Sequence, residues 1–284
     1  MKRELPGHIR KAFLSVERFL PVVDLIVEMV DARMPEGSRM RGFVERLQKA
    51  SVIALGKGDL ADPEQTDGWV KYYAEQGVRA IPLDARDRNS VKRLARFIRD
   101  YAFEQEGPDS RPKRKVRRIM VIGIPNVGKS TLINALAGRK AAQTANKPGV
   151  TRNVQWIKLA GQLELLDLPG ILDFSLLRRG EILKLINTMP GRDEDPYALA
   201  KLLVEVLQIA GCYHVLPEFA DKEQSFDTYL SSYAMSRNFL VREGAPDLHR
   251  GANDLIRRFQ NGGFGRITLE TQDAHLEDLL ATED

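Results

Sequence analysis

An α/β fold, with a doubly wound and mostly parallel sheet followed by a smaller helical part, is predicted by three observations. Short apolar runs alternate with amphipathic helical stretches from residue 24 to residue 174, and strands separated by helices pair in parallel. "GIPNVGKST" at 123–131 matches G-x-x-x-x-G-K-[ST] and lies between an apolar run and a helical one, which is the setting that loop requires. Beyond residue 174 the apolar residues recur at helical spacing only.

Each element follows from its own pattern. Residues 8–20 place Ile9, Ala12, Phe13, Val16 and Leu20 on one face, so they predict an amphipathic helix. "DLIVEMVDA" reads as a strand, "MRGFVERLQKA" as a helix and "SVIAL" as a strand. "EQTDGWVKYYAEQG", "RAIPL" and "SVKRLARFIRDYAFEQE" continue as helix, strand and helix. After a Pro-containing basic stretch come the strand "RIMVIG", the helix "KSTLINALAG" and strands near "VQWIKLA" and "QLELLDL". "ALAKLLVEVLQIA" and "ANDLIRRFQ" are helices, and "NGGFGRITLE" is a glycine turn leading into an extended segment. The expected division is an α/β domain over 1–176, including a basic linker at 107–118, and a mostly helical domain over 177–284.

A chain of 284 residues, 43% hydrophobic and 29% charged, can bury one large or two modest cores. Cys212 is its one cysteine, which excludes an internal disulfide framework and a cysteine-cluster zinc site and fits a reducing cytosol. The start has no apolar signal core and no stretch has the length of a membrane span, so a cytoplasmic protein without membrane attachment is expected. The net charge of +4 is modest, but "RPKRKVRR" at 111–118 holds six basic side chains in eight residues. Such a run is either a solvated linker or a contact for phosphates.

The chemistry is concentrated in the glycine loop. Gly123 and Gly128 let backbone N–H groups wrap phosphates, and the N-terminus of the following helix adds a favourable dipole. Asn126, Val127, Gly128, Lys129, Ser130 and Thr131 are therefore candidate nucleotide contacts. Lys129 reaches the terminal phosphates, and Ser130 is a magnesium ligand. "LELLDLPG" supplies Asp167 as a second magnesium residue and Gly170 as a sensor of the terminal phosphate. Thr151 in "KPGVTR" is either a switch residue that closes on magnesium or only part of a turn.

Base recognition is written in an unusual place. "GKGD" at 56–59 resembles the Lys-x-Asp loop by which GTP-binding proteins read guanine, and "LDAR" adds Asp84 and Ala85. Both precede the glycine loop, whereas Thr151 and the D-x-x-G segment follow it in ordinary order. This order is that of a circularly permuted P-loop GTPase domain. With "PGHIRKA", "VDARMPEGSR", "GIPNVGKSTLINALAG", "KPGVTR", "LELLDLPGIL" and "GGFGRITLE" in sequence, the chain resembles the circularly permuted GTPases of the ribosome biogenesis GTPase A (YlqF/RbgA) family.

The resemblance implies GTP and GDP as ligands, Mg2+ as cofactor, and GTP hydrolysis in assembly of the large ribosomal subunit. The implied partners are the large-subunit precursor and its rRNA, with the protein a monomer off the ribosome. It also implies His8 as the group that positions the attacking water, alongside Lys129, and Asn126 as a holder of K+. Arg114, Lys115, Arg117, Arg118, Arg257 and Arg258 are the rRNA-contact candidates. Two departures stand out. Gly56 occupies the place where the family has Asn, and Ile171 follows Gly170 where regulatory GTPases have a water-orienting Gln. Lys57 and Asp59 are retained, so guanine preference with weakened affinity is expected. Two rival readings are a nucleotide-binding scaffold with little hydrolysis and a P-loop small-molecule kinase.

Overall fold

Seven residues in a row, Leu25–Asp31, five of them apolar, form β1 with every side chain buried. A strand covered on both faces reads as a continuous apolar run, not as an alternation. The computed structural model describes residues 16–104, 116–145, 155–160, 162–167, 180–188, 195–219 and 224–272. Within them β1 pairs in parallel with β2 (Ser51–Gly56) on one side and with β4 (Arg117–Gly123) on the other. β3 (Arg79–Pro82) extends the sheet beyond β2, β6 (Leu163–Asp167) beyond β4, and β5 (Gln155–Leu159) closes it antiparallel to β6. The order is β3-β2-β1-β4-β6-β5.

The chain thus moves outward from β1 to β3, then crosses back to lay β4 beside β1. That reversal opens a crevice at the carboxyl ends of β1 and β4, where ligands of doubly wound sheets bind. The glycine loop begins at the end of β4, with Met29 paired to Gly123 across the two strands. The sequence-predicted base-reading loop begins at the end of β2, on the same edge of the sheet.

Helices cover both faces. α1 spans Arg41–Arg46, α2 Pro63–Glu75, α3 Arg88–Glu104 and α4 Lys129–Ala145. Asp62 caps α2 by accepting from the Gln65 N–H at 2.9 Å, and Pro63 starts the helix at the position that lacks a bonding partner anyway. α2 then buries Trp69 and Tyr73 against Val30, Ile53 and Leu55. α3 turns Val91, Leu94, Ile98 and Ala102 inward at helical spacing, onto the face that includes Val52 and Ala54. Glu28 breaks the apolar run of β1, and its carboxylate accepts from Arg39 Nη2 at 2.9 Å and from the Met40 N–H at 2.7 Å. Partners on both oxygens offset the cost of burying the charge.

The C-terminal part contains α5 (Gly180–Leu185), α6 (Pro196–Ile209), α7 (Phe226–Ser236) and α8 (Leu248–Gln260). Asp195, Ser225 and Asp247 cap the last three. Their apolar residues join the same core cluster as the sheet, so the helical part is seated on the α/β part. The expected glycine turn and extended segment follow α8 and run back over the first half. There the Ile267 N–H donates to Leu60 O at 2.9 Å and the Leu269 N–H to Arg33 O at 2.7 Å. The Glu270 carboxylate accepts from the N–H groups of Glu36 and Gly37, and Trp69 Nε1 donates to Glu270 O.

Differences from the expected elements have local causes. The helix expected over 40–50 is only Arg41–Arg46, and Gln48 shortly afterward adopts a φ of +49°. The helix after the glycine loop continues to Ala145, beyond the expected end at residue 138. Of the expected helix over 8–20, only the end from Val16 is described, and it passes into a single 3-10 turn at Leu20–Val22 carrying Pro21.

Candidate functional site

The crevice holds a cleft of about 240 Å3 lined by six separate stretches of chain, three of which follow β2, β3 and β4. Lys57, Asp59 and Leu60 form one wall, and Asp84, Ala85 and Arg86 the next. Asn126, Val127, Gly128 and Thr131 form the third. Residues proposed for base contact and four residues of the glycine loop and the helix after it therefore line one space, although 67 residues separate Asp59 from Asn126 in the chain.

In the glycine loop, Gly123 has φ +153°, Asn126 +51° and Gly128 +108°. A Cβ at Gly123 would stand 2.5 Å from Met29 O, so only glycine lets the loop leave β4 this close to β1. Lys129 is 8% exposed, and its Nζ donates to Gly123 O at 2.8 Å and Ile124 O at 2.6 Å. The ammonium is thus held against the loop's own carbonyls, where phosphate oxygens entering the loop can take over its donors. Ser130 and Thr131 lie in the first turn of α4, directly after it.

The loop expected to read the base is fixed by its backbone. The Gly58 N–H donates to Leu83 O at 3.0 Å, and Lys57 takes a positive φ of +56°. Asp59 keeps its carboxylate partly open, with Arg86 Nη1 3.9 Å away. Asp84 turns back on its own chain, its Oδ1 accepting from the Arg86 N–H at 2.8 Å and its N–H donating to Ser90 Oγ at 3.0 Å. That turn presents Ala85 beside the loop.

Gly56 stands where a Cβ would meet Val30 O at 3.2 Å and Val127 O and Met29 Cε at 3.3 Å. The missing side chain therefore points at the glycine loop. An Asn here could donate its amide N–H to Val127 O and brace the loop that holds phosphate. The approach is close: Met29 Cε can swing aside, whereas the backbone carbonyls of Val30 and Val127 must each give by a few tenths of an ångström. Gly56→Asn is accordingly expected to lower the Kd for GDP by about fivefold, near 1 kcal/mol, the net worth of a hydrogen bond. Titration of both forms checks it; a higher Kd would mean that crowding outweighs the brace.

The cleft residues that were not foreseen include Met29 and Leu60, Ile186 and Asn187 just after α5, and Gln260 and Asn261 at the end of α8. The helical part thus contributes to the same wall as Lys57. Beside Lys57 lie Asp31 and Arg33, neither of them singled out in the sequence although "VDARMPEGSR" carries part of the family resemblance. Burial alone would raise the pKa of Asp31, but the charges of Arg33 and Lys57 outweigh it and hold the carboxyl at about 2. The group is therefore ionised across the ordinary pH range, and its contribution is lost only as pH falls toward that value.

Other candidates are placed unevenly. Asp167 ends β6, next to β4 in the sheet and on the edge where the glycine loop begins. Arg117 is a correction: it lies inside β4 at 4% exposure, with its guanidinium over the Phe103 ring. Its place in the basic run disguised a strand residue, and burial takes it away from an external rRNA phosphate. Arg118 pairs with Glu164 at 3.0 Å and covers Trp156. Arg257 is exposed in the last turn of α8, while Arg258 Nη1 donates to the Tyr233 hydroxyl at 3.2 Å. His8, Arg114, Lys115, Thr151 and Gly170 lie outside the described residues.

Comparison with known proteins agrees with this geometry. The family described as 50S ribosome-binding GTPase matches residues 118–240. Ribosome biogenesis GTPase A of Priestia megaterium is 35% identical, over 93% of this chain and 95% of its own. The protein of the same name from Bacillus cereus is 33% identical, over 98% and 96%. Among solved structures, GNP-bound YlqF from T. maritima superposes with a TM-score of 0.65 at 26% identity, covering 93% of this chain and 99% of that one. With the permuted order of its motifs, its sheet and these relatives in agreement, the chain belongs to the ribosome biogenesis GTPase A family.

Proposed function

We propose that the cleft at the ends of β1 and β4 binds GTP, and that its hydrolysis to GDP and phosphate drives a cycle of binding to and release from the large ribosomal subunit precursor. The protein is a GTPase and a ribosome assembly factor, as its family membership establishes. The observation that carries the site assignment is the convergence of Lys57, Asp59 and the glycine loop on one cleft. In this reading Asp59 accepts from the N1 and N2 donors of guanine, and adenine, lacking that pair, would leave the carboxylate unsatisfied. Loop N–H groups and Lys129 neutralise the phosphates and hold them in line for attack by water.

Ser130 and Asp167 fit a magnesium ion, because a hydroxyl beside the phosphate loop and a carboxylate at the adjacent strand end are the hard oxygen donors it prefers. Bound there with Thr151, it would neutralise charge on the terminal phosphates. Asn126, whose backbone turns at the cleft rim, is the candidate for holding potassium. Arg118, Arg257 and Arg258, with Arg114 and Lys115, are the proposed rRNA contacts. Among the described residues no helix is long and apolar enough to cross a membrane.

Cosedimentation with large subunits tests the cycle. Retention with a nonhydrolysable GTP analogue and release with GDP are expected, and equal retention in both states would refute a nucleotide-gated cycle. His8 is the proposed positioning group for water, because Ile171 replaces the usual Gln. His8→Ala is expected to leave GTP affinity and subunit binding intact and to lower subunit-stimulated turnover at least ~10-fold, about 1.4 kcal/mol in barrier. Unchanged stimulated turnover would assign water positioning to rRNA or to the potassium site.

A further inference from the structure

Lys57, the cation of the base-reading loop, is tethered from behind. Its Nζ is 2.9 Å from Asp31 Oδ2 and donates to Ile186 O at 3.2 Å. Asp31 is fully buried and also receives Arg33, with Nε 2.9 Å from Oδ1 and Nη2 2.8 Å from Oδ2. Arg33 is 2% exposed and gives its remaining guanidinium contacts to the helical part: Nη2 to Ile186 O at 2.9 Å and Nη1 to Gln260 O at 3.3 Å. Ile186 follows α5 directly, and Gln260 is the last residue of α8. Carbonyls at helix C-termini have no partner within the helix and carry the negative end of the dipole, so they suit a second and third contact for buried cations.

We propose that Asp31 and Arg33 are positioning residues for guanine recognition, joining Lys57 to the carboxyl ends of α5 and α8 so that nucleotide binding and seating of the C-terminal helical part are linked. The inference rests on the guanine-nucleotide reading of the cleft. Lys57 forms part of the cleft wall, so a bound base packs against a side chain whose far end is held by Asp31 and Ile186. One carboxylate and two cations leave a buried excess of positive charge, which the two helix-end carbonyls offset. Unseating the helices would remove Ile186 O and Gln260 O together. Arg33 would then be left with unmade hydrogen bonds, and Lys57 would lose one of its two anchors. Linkage is reciprocal, so a nucleotide that requires Lys57 in place must favour the seated helices by the same factor.

The helix ends offer amides that report this directly. The N–H groups of Asn187 and Thr188 bond back to Lys184 and Leu183, and those of Asn261 and Gly262 to Arg257 and Phe259. Hydrogen exchange at these four amides is measured in the full chain with and without saturating GDP, for the wild type and for Arg33→Lys. Lysine keeps the charge but cannot bridge Asp31 and both carbonyls at once. In the wild type, GDP is expected to slow exchange at least ~5-fold at these sites. In Arg33→Lys, that GDP-dependent slowing disappears and the Kd for GDP rises about tenfold, equal to 1.4 kcal/mol. A residue that served only general stability would change exchange equally with and without GDP. Arg33→Lys with a Kd within twofold of wild type and the slowing intact overturns the proposal. If Arg33→Lys does not fold, the wild-type comparison decides alone: GDP binding without slowed exchange at the helix ends overturns it. A wild-type chain that binds no GDP removes the guanine reading and this inference together, whereas one that binds GDP without the slowing removes only the inference.

Discussion

Lys129→Ala should raise the Kd for GTP at least a hundredfold. The ammonium is 8% exposed and already makes two hydrogen bonds to loop carbonyls, at 2.8 and 2.6 Å. It is therefore preorganised at the place proposed for the terminal phosphates. Alanine leaves those carbonyls facing the triphosphate with no cation between them, which converts attraction into repulsion. Charge-assisted hydrogen bonds are worth about 1.5 to 3 kcal/mol each, so the loss of two corresponds to about a hundredfold or more in affinity. Equilibrium titration with GTP reads the change. A Kd within threefold of wild type would mean that the phosphates are not held by this loop.

The second large effect is expected in selectivity. In the proposed reading Asp59 is the one member of the loop whose chemistry separates guanine from adenine, and its carboxylate stays partly open beside an exposed Arg86. Asp59→Asn replaces two acceptor oxygens with one acceptor and one donor. The donor then opposes a donor of guanine, so GDP binding should weaken while ADP binding changes little. A lost charge-assisted pair of about 1.5 to 3 kcal/mol predicts that preference for GDP over ADP falls about 10-fold to 150-fold. Competition titration with the two diphosphates measures it. An unchanged preference would place the base elsewhere in the cleft.

The contrast between legible and hidden features has a physical basis. β1, β2 and β4 were readable because buried parallel strands must be continuously apolar, and the glycine loop because its backbone demands glycine at fixed positions. The permutation was readable from the order of motifs alone. α5 was not foreseen because six residues are too few for a periodic signal. α7 was hidden because its buried face is built from Tyr229 and Tyr233 as well as Leu230 and Ala234, so aromatic hydroxyls dilute the apolar pattern. Arg117 misled because the charge of a run says nothing about where the next strand begins.

Asp31 and Arg33 show a deeper limit. Each is an ordinary charged residue at a strand end, and only the fold brings the carbonyls of Ile186 and Gln260 to the arginine. The same holds for Asn187 and Asn261 in the cleft wall. Residues recruited across a hundred or more positions leave no local pattern. The tail behaves likewise: Arg266 donates to Gly58 O and Ala61 O, on either side of Asp59, and so ties the chain's last described segment to the proposed base-reading loop.

The most direct test of the whole account is steady-state GTP hydrolysis by the purified protein, alone and with isolated large ribosomal subunits. Slow turnover alone and at least ~10-fold faster turnover with large subunits are expected, because docking on the particle is proposed to bring His8, the candidate water-positioning group, to the terminal phosphate. Phosphate release at the buffer rate in both conditions would contradict a GTP-hydrolysing ribosome assembly factor and leave a nucleotide-binding scaffold in its place.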